Sequence, residues 1–451
     1  MSGSAGIVPQ RAVIVLPTTG EFDSRTYRIA SALAARGHAV TVLARQAPGL
    51  PPDERHPAGY RIVRVPVSAV DGLPLPAWAR RGIERLRARR RASAPTATAS
   101  ASLVAPAPAS PSVASPARGR LGRLIGGLVR IAAIALTVRS QRRAALAVAP
   151  AADVVHGMAY MGIPVALGLG RATGAKVVYD ARDIYLEAAN LARLPRPARA
   201  LLARVERRWA RRADRVLTVN RQYAEVMAGR FGVPLPAIVM NCSYRYAPPD
   251  PPGHRFHERL GLDPATRVVL YQGGFSRERG IEQLIEAIGS VPGAVLVLLG
   301  YGPLQAELEV RAADPATGGR VRVLPAVAPT ELLDWVAAAD VVAMPIQPST
   351  LNHRLTTPNK LFEALAAGVP VVASDLPGMA GIVRQTGCGL LVDPTDPAAI
   401  AAALREILDA PQADRSAWRK RALAAAHATY NWERQAEVLL DEYTKLTGRR
   451  W

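Results

Sequence analysis

Short apolar runs recur along this chain, most of them followed by a segment with apolar residues at helical spacing. The first run, 12–16, ends in a turn from Pro17 to Gly20. Over 25–36, Ile29, Ala30, Leu33 and Ala34 then share one helical face, Gly37 closes it, and 39–43 is the next run. Strand, helix, strand in that order predicts a parallel sheet. Runs at 61–65, 153–155, 177–179, 215–219 and 237–240 continue the pattern. After a Pro-rich break at 242–255 it starts again with 268–272, 294–299, 321–324, the segment VVAMP and 369–373. The expectation is an α/β protein of two domains, residues 1–245 and 255–429, with a terminal helix in 430–451. A chain of 451 residues is long enough for each domain to bury its own core.

One part of the first domain does not fit this pattern. Residues 92–117 are almost wholly Ala, Ser, Pro and Thr, too poor in large apolar groups to offset the entropy of ordering them, so a disordered insertion is expected at about 80–120. It follows the basic stretch 80–91 and precedes 121–143, where Leu121, Leu124, Ile125, Leu128, Ile131, Ala132 and Leu136 give a broad apolar helical face. Basic ends around an apolar helix suit a membrane surface; a helix packed on a core would read the same way. The net charge of +21 is concentrated here: residues 61–150 carry sixteen arginines and no lysine against Asp71 and Glu84. A second basic block runs from Arg193 to Arg215. Either could face anionic lipid, nucleic acid or an acidic substrate, although Arg and Ala are frequent throughout the chain.

The apolar run at the start is too short for a signal peptide, and 124–138 is broken by Arg130 and too short to span a bilayer. Cys242 and Cys388 lie far apart with no metal spacing. A reducing, cytoplasmic setting is the default. No DxD pair or His/Cys cluster suggests a metal, and no cofactor is expected. Gly300 and Gly302 do not complete a dinucleotide fingerprint, because Gln305 stands at the third glycine position.

Two stretches carry anion chemistry. In 351–378, LNHRLTTPNKLFEALAAGVPVVASDLPG, Thr357 can cap a helix, Pro358 suits its first position, 359–367 reads as the helix and Gly368 closes it. Such a helix start attracts an anion, Lys360 adds a full charge, and Glu363 lies one turn on, where it could accept from sugar or ribose hydroxyls. An ordinary surface helix with a Lys360/Glu363 pair would read the same way. In 268–288 a strand runs into Gly273 and Gly274, then Arg277 and Arg279, and Gly280 opens a helix: a second anion site. In the first domain, Arg25 could bind a phosphate at the mouth of the sheet or sit solvated in the first helical turn. Asp180 and Asp183 end a strand where open α/β sheets place ligands.

The string TPNKLFEALAAGVPVVASDLPG resembles the donor-site motif of family-four glycosyltransferases of the GT-B fold, in the variant that carries Pro-Asn-Lys. EFDSRTYRIASALAARGHAVTVLA is similar to the amino-terminal start of the same family. The resemblance implies two facing Rossmann-like domains with the active site in an interdomain cleft, and a terminal helix that crosses back onto the first domain. It implies that Glu363 holds the donor ribose, with Pro358, Asn359 and Lys360 near the nucleotide sugar. Arg279 stands in for the family's diphosphate-binding Lys, and Gly274 occupies the usual Arg position, where Arg277 could compensate. The base would lie near 326–328, on Ala328, and Gly273 and Gly302 complete the donor side. The commoner motif has a second Glu where this chain has Leu355, with Asn352 and His353 as the candidate substitutes. DVVHGMAY resembles the stretch with an active-site His, here His156, although Met158 replaces a second one; a structural histidine at a strand end is the alternative. YDARD resembles an Asp-x-His-Glu element, with Asp180 and Asp183 able to orient an acceptor hydroxyl.

Taken together, the catalytic candidates are Arg279, Lys360, Glu363 and Asp183, with Arg25, His156 and Asp180 on the acceptor side. The expected activity is sugar transfer from a nucleotide sugar to a glycan or lipid-linked acceptor at the cytoplasmic membrane face, with retention of configuration. The rivals are another GT-B enzyme, such as a sugar-nucleotide epimerase or a phosphorylase, and a non-catalytic basic adaptor. Nucleic acid is not the expected partner, since aromatics make up only 5% of the chain and none cluster among the arginines.

Overall fold

The computed structural model describes residues 8–21, 23–69, 120–250 and 252–451. The basic stretch 80–91 and the Ala/Ser/Pro-rich segment 92–117 lie outside the described residues. The chain forms two units. One contains Met1–Thr218, Ala224–Ile238 and Val438–Trp451, and the other contains Val219–Tyr223 and Val239–Glu437.

The first unit is built on β1 (Arg11–Val15), β2 (Ala39–Arg45), β3 (Asp53–Arg55), β4 (Arg61–Val65), β5 (Val154–Met158), β6 (Lys176–Asp180), β7 (Arg215–Thr218) and β8 (Ala237–Ile238). Their order is β3-β4-β2-β1-β5-β6-β7-β8, parallel throughout except that β3 runs antiparallel to β4. Strand order reverses between β1 and β5, so the carboxyl ends of these two flank the crevice in which such sheets bind ligands. The sequence gives no sign of β3. Its three residues are all charged, which suits an exposed edge, and Glu54 pairs with Arg64 of β4 at 2.9 Å.

The apolar helix read at 121–143 extends over Arg120–Val148. Ile131 and Ile134 pack against a cluster of Leu186, Leu191, Leu194, Ala198 and Leu202, while Leu128 and Val129 remain 59% and 63% exposed. One face is thus core and part of another is open. No helix among the described residues is long and apolar enough to cross a membrane.

Beside that cluster, Tyr179 of β6 donates to Glu206 at 2.7 Å in a buried pair. Burial pushes the Glu206 carboxyl up to about 7, against the opposing pull of Tyr179 and Arg230. The fold therefore holds a proton that the unfolded chain releases near pH 4.3. That contribution is complete below pH 4.3 and is lost as pH rises to about 7, on the order of 3 kcal/mol. Thermal unfolding between pH 5 and pH 8 is expected to show a falling Tm that Glu206→Gln flattens. An unchanged slope in the variant would contradict the assignment.

The second unit carries β9 (Arg267–Gly274), β10 (Ala294–Tyr301), β11 (Val321–Pro325), β12 (Val341–Met344), β13 (Val371–Ser374) and β14 (Gly389–Val392). All are parallel, in the order β11-β10-β9-β12-β13-β14. Alternation along β9 sends Val268 and Leu270 into one core and Val269 and Tyr271 into another, so the sheet is buried on both faces. The order reverses between β9 and β12, and the loops leaving these two strands are the ones that the sequence marks for anion chemistry.

Candidate functional site

In the second unit, the loops after β9 and β12 are fastened together at the switch point. A Cβ on Gly280, at φ 79°, would lie 2.0 Å from the Pro345 carbonyl oxygen, so only glycine permits this approach. Gln347 N–H donates to the Glu278 carbonyl at 3.0 Å. Gly302, at the end of β10, is crowded in the same way by the backbone of Phe275, 2.3 Å from where its Cβ would stand.

The helix Asn359–Ala367 forms as read, with Gly368 as its C-cap. Its start differs from the expectation. Pro358 occupies the N-cap position without a side-chain cap bond, and the Thr357 hydroxyl accepts from Asn220 Nδ2 at 3.3 Å. Asn220 also donates to the Leu355 carbonyl at 2.8 Å and so ties down the turn that precedes the helix. The caps suggested by Thr-Pro-Asn are therefore not made: a more distant partner takes the hydroxyl.

Lys360 lies at the centre of the site. Its Nζ is 3.4 Å from the centroid of the Tyr271 ring and reaches the backbone of Gly273, whose Cβ position would be 4.0 Å away. The residue is 8% exposed, and its ammonium has no hydrogen-bond partner among the described residues. Burial, reinforced by the charge of Arg279, holds its pKa well below the ordinary lysine range, with Glu363 opposing. The ring supplies cation–π attraction, but a buried cation ordinarily needs a countercharge as well. Gln272 donates to Glu363 Oε2 at 3.2 Å and orients that carboxylate. The sequence reading missed Tyr271 and Gln272, since an aromatic residue and its neighbour in an apolar run read as core.

The other donor-side candidates are placed unequally. Arg279 acts electrostatically on Lys360, on Tyr271 and on His353, and so belongs to the cluster. Arg277 is 67% exposed on its side chain and pairs with Glu307 at 3.3 Å, a weak surface contact. Asn352 is buried, and its Oδ1 accepts from Tyr223 at 2.8 Å. His353 is held by Ser349. Asn359 is exposed, and its Oδ1 accepts from Asn241 at 2.9 Å. Gly274 and Ala328 are exposed, and Pro358 is half-buried.

In the first unit, Arg25, His156 and Asp180 come together, but as a buried cluster. Arg25 Nε donates to Asp180 Oδ2 at 2.7 Å, His156 Nε2 lies 3.1 Å from the same oxygen, and His156 Nδ1 is 2.6 Å from the Tyr443 hydroxyl. Arg25 is 1% exposed and the other two are fully buried. The expectation of a solvated Arg25 is therefore corrected: the side chain is buried and faces Asp180. His156, within β5, is enclosed between Asp180 and Tyr443. Asp183 is half-buried beside Arg182, which itself donates to Asp23 at 2.6 Å. Among the described residues no group of three or more His, Cys, Asp or Glu side chains is arranged to hold a metal.

Comparison with known proteins agrees with this architecture. The family model described as "Glycosyl transferases group 1" matches residues 266–410, and that described as "Glycosyl transferase 4-like domain" matches residues 22–242. The D-inositol 3-phosphate glycosyltransferase of Xylanimonas cellulosilytica is 32% identical over 254 residues, 53% of this chain and 58% of that protein. The lipopolysaccharide core biosynthesis glycosyltransferase LpsE of Rhizobium meliloti is 32% identical over 195 residues, 43% of this chain and 54% of its own length. The chain spans about half the length of the curated relatives it matches. Among solved structures, the sucrose-phosphate synthase of Thermosynechococcus elongatus superposes with a TM-score of 0.70 at 20% identity, over 97% of this chain and 99% of that one. Anabaena Alr3699/HepE in complex with UDP-glucose gives 0.60 at 16% identity, over 97% and 100%. At such identities the likeness concerns the fold, two parallel-sheet α/β domains of the GT-B type.

Proposed function

This chain belongs to the glycosyltransferases of family four, and we propose that it moves a sugar from a nucleotide-sugar donor to a glycan or lipid-linked acceptor, with retention of anomeric configuration. The observation that carries the proposal is the buried ammonium of Lys360, without a hydrogen-bond partner among the described residues, at the switch point of the second sheet, with Arg279 and Glu363 beside it. Two cations face one carboxylate here, and a diphosphate would supply the further negative charge. Lys360 and Arg279 would take up the charge that grows on the diphosphate as its bond to the sugar C1 breaks, and such help counts most in the transition state. Glu363, oriented by Gln272, would hold the ribose hydroxyls. The acceptor oxygen would bond to C1 on the same face and pass its proton to the departing phosphate oxygen, so no carboxylate nucleophile is needed. A neighbour of the same fold, HepE, was solved with UDP-glucose, which supports a donor of this class.

The acceptor is proposed to lie at the inner membrane face. Exposed Leu128 and Val129, together with the exposed arginines of the helix Arg196–Ala210, support contact with anionic lipid.

Incubation with a panel of nucleotide sugars and a membrane extract is expected to release one nucleoside diphosphate and to label the lipid-extractable fraction. NMR of the product is expected to show the donor's anomeric configuration. Inversion would overturn the retaining mechanism, and no diphosphate release in any combination would contradict the activity.

A further inference from the structure

Glu278 is one of two non-glycine residues with positive φ among the described residues, at 69°, and it lies next to Arg279 in the loop after β9. A glutamate in this region is strained, and such strain persists where the surroundings hold it. Here the Glu278 carbonyl accepts from Gln347 N–H at 3.0 Å, and its Oε2 accepts from the Ser349 hydroxyl at 2.9 Å. Ser349 Oγ in turn lies 2.8 Å from His353 Nδ1, and Thr350 Oγ1 accepts from the His353 backbone N–H at 3.2 Å. Three side chains from two loops thus form a chain: carboxylate, hydroxyl, imidazole.

The direction of that chain follows from proton counting. A carboxylate only accepts, so Ser349 gives it the hydroxyl proton, and the Ser349 oxygen is left to accept from His353 Nδ1–H. Nε2 then carries the lone pair of the neutral ring, and it makes no hydrogen bond among the described residues. Burial first, and Arg279 second, lower the His353 pKa against the opposing pull of Glu278, which favours the neutral ring at pH 7. Arg279 acts on both His353 and Lys360, so the imidazole borders the anion site.

We infer that Glu278 and Ser349 are positioning residues that fix His353 with Nε2 as an acceptor for a hydroxyl of the donor's sugar. This rests on the donor-site reading above. An acceptor among cations has no use for a phosphate oxygen, whereas a sugar hydroxyl supplies the proton that it requires.

The test compares binding of a nucleotide sugar with binding of its free diphosphate, using UDP-glucose with UDP and GDP-mannose with GDP. For the pair that the wild-type chain binds, Ser349→Ala is expected to lower affinity for the nucleotide sugar about fivefold while leaving the diphosphate unchanged, as the loss of one hydrogen bond implies. Ser349→Thr keeps the hydroxyl and is expected to restore the ratio. Glu278→Gly relieves the strain and is expected to raise Tm by about 3 °C, yet to show the same loss for the nucleotide sugar. An unchanged ratio in Ser349→Ala, or an equal loss for both ligands, would overturn the inference while leaving the donor site standing. A wild-type chain that binds none of the four would overturn the donor reading and this inference with it.

Discussion

Lys360→Met is expected to abolish most donor affinity and, at the same time, to make the protein more stable. The two effects have one cause. In the free protein the ammonium is buried against the Tyr271 ring with no hydrogen-bond partner among the described residues, and burial together with Arg279 depresses its pKa. Replacing it with an apolar side chain of similar length removes a desolvated charge, a gain of about 1 kcal/mol once the lost cation–π contact is allowed for. A bound diphosphate would use that charge in a charge-assisted hydrogen bond, and its loss would lower affinity about a hundredfold. Opposite signs on stability and binding mark a residue held ready for a ligand. Destabilisation with unchanged binding would mean instead that Lys360 is a packing residue.

Asp180→Asn is expected to be the most destabilising single change in the first unit. Burial works to raise the Asp180 carboxyl, but Arg25 and His156 outweigh it and hold the group well below the usual carboxylate range. The stability that this contributes is present above the unfolded value near 3.9, and is lost as pH falls from there toward the depressed folded value. Asparagine removes one partner of a buried ion pair, which costs about 3–5 kcal/mol and lowers Tm by about 10 °C. Changing both partners, Arg25→Met with Asp180→Leu, is expected to recover most of the loss, because an apolar pair has no charge to desolvate. A Tm within about 2 °C of wild type for Asp180→Asn alone would show that the pair carries no such burden.

The strands were legible because a strand buried on both faces reads as a plain apolar run. Val268–Leu270 and Val371–Ala373 are of this kind, and the structure builds them as β9 and β13. β3 was not legible, because Asp53, Glu54 and Arg55 form an edge through backbone pairing, with no apolar signal. Within the site, Lys360, Glu363 and Arg279 stood out because charge beside glycines and a helix start has a chemical reading. Tyr271 and Gln272 did not, since their role appears only when the helix Asn359–Ala367 is laid against β9. Thr357 misled for a related reason. Its sequence context satisfies the rules for a helix cap, and local rules cannot see Asn220 competing for the hydroxyl. Arg25, His156 and Asp180 carry separate functional readings in the sequence. Only tertiary structure shows that Arg25 and His156 meet on one oxygen of Asp180.

Calorimetric titration of the purified protein with nucleotide sugars and their free diphosphates tests the donor site most directly, with Lys360→Met and Glu363→Ala run alongside. The expected result is tight binding of one nucleotide family by the wild-type chain. Lys360→Met should lose affinity for the diphosphate and the nucleotide sugar alike, and Glu363→Ala should lose the ribose contribution of about tenfold. A folded wild-type protein that binds none of them would contradict the account and leave a basic adaptor on anionic surfaces as the better reading of this chain.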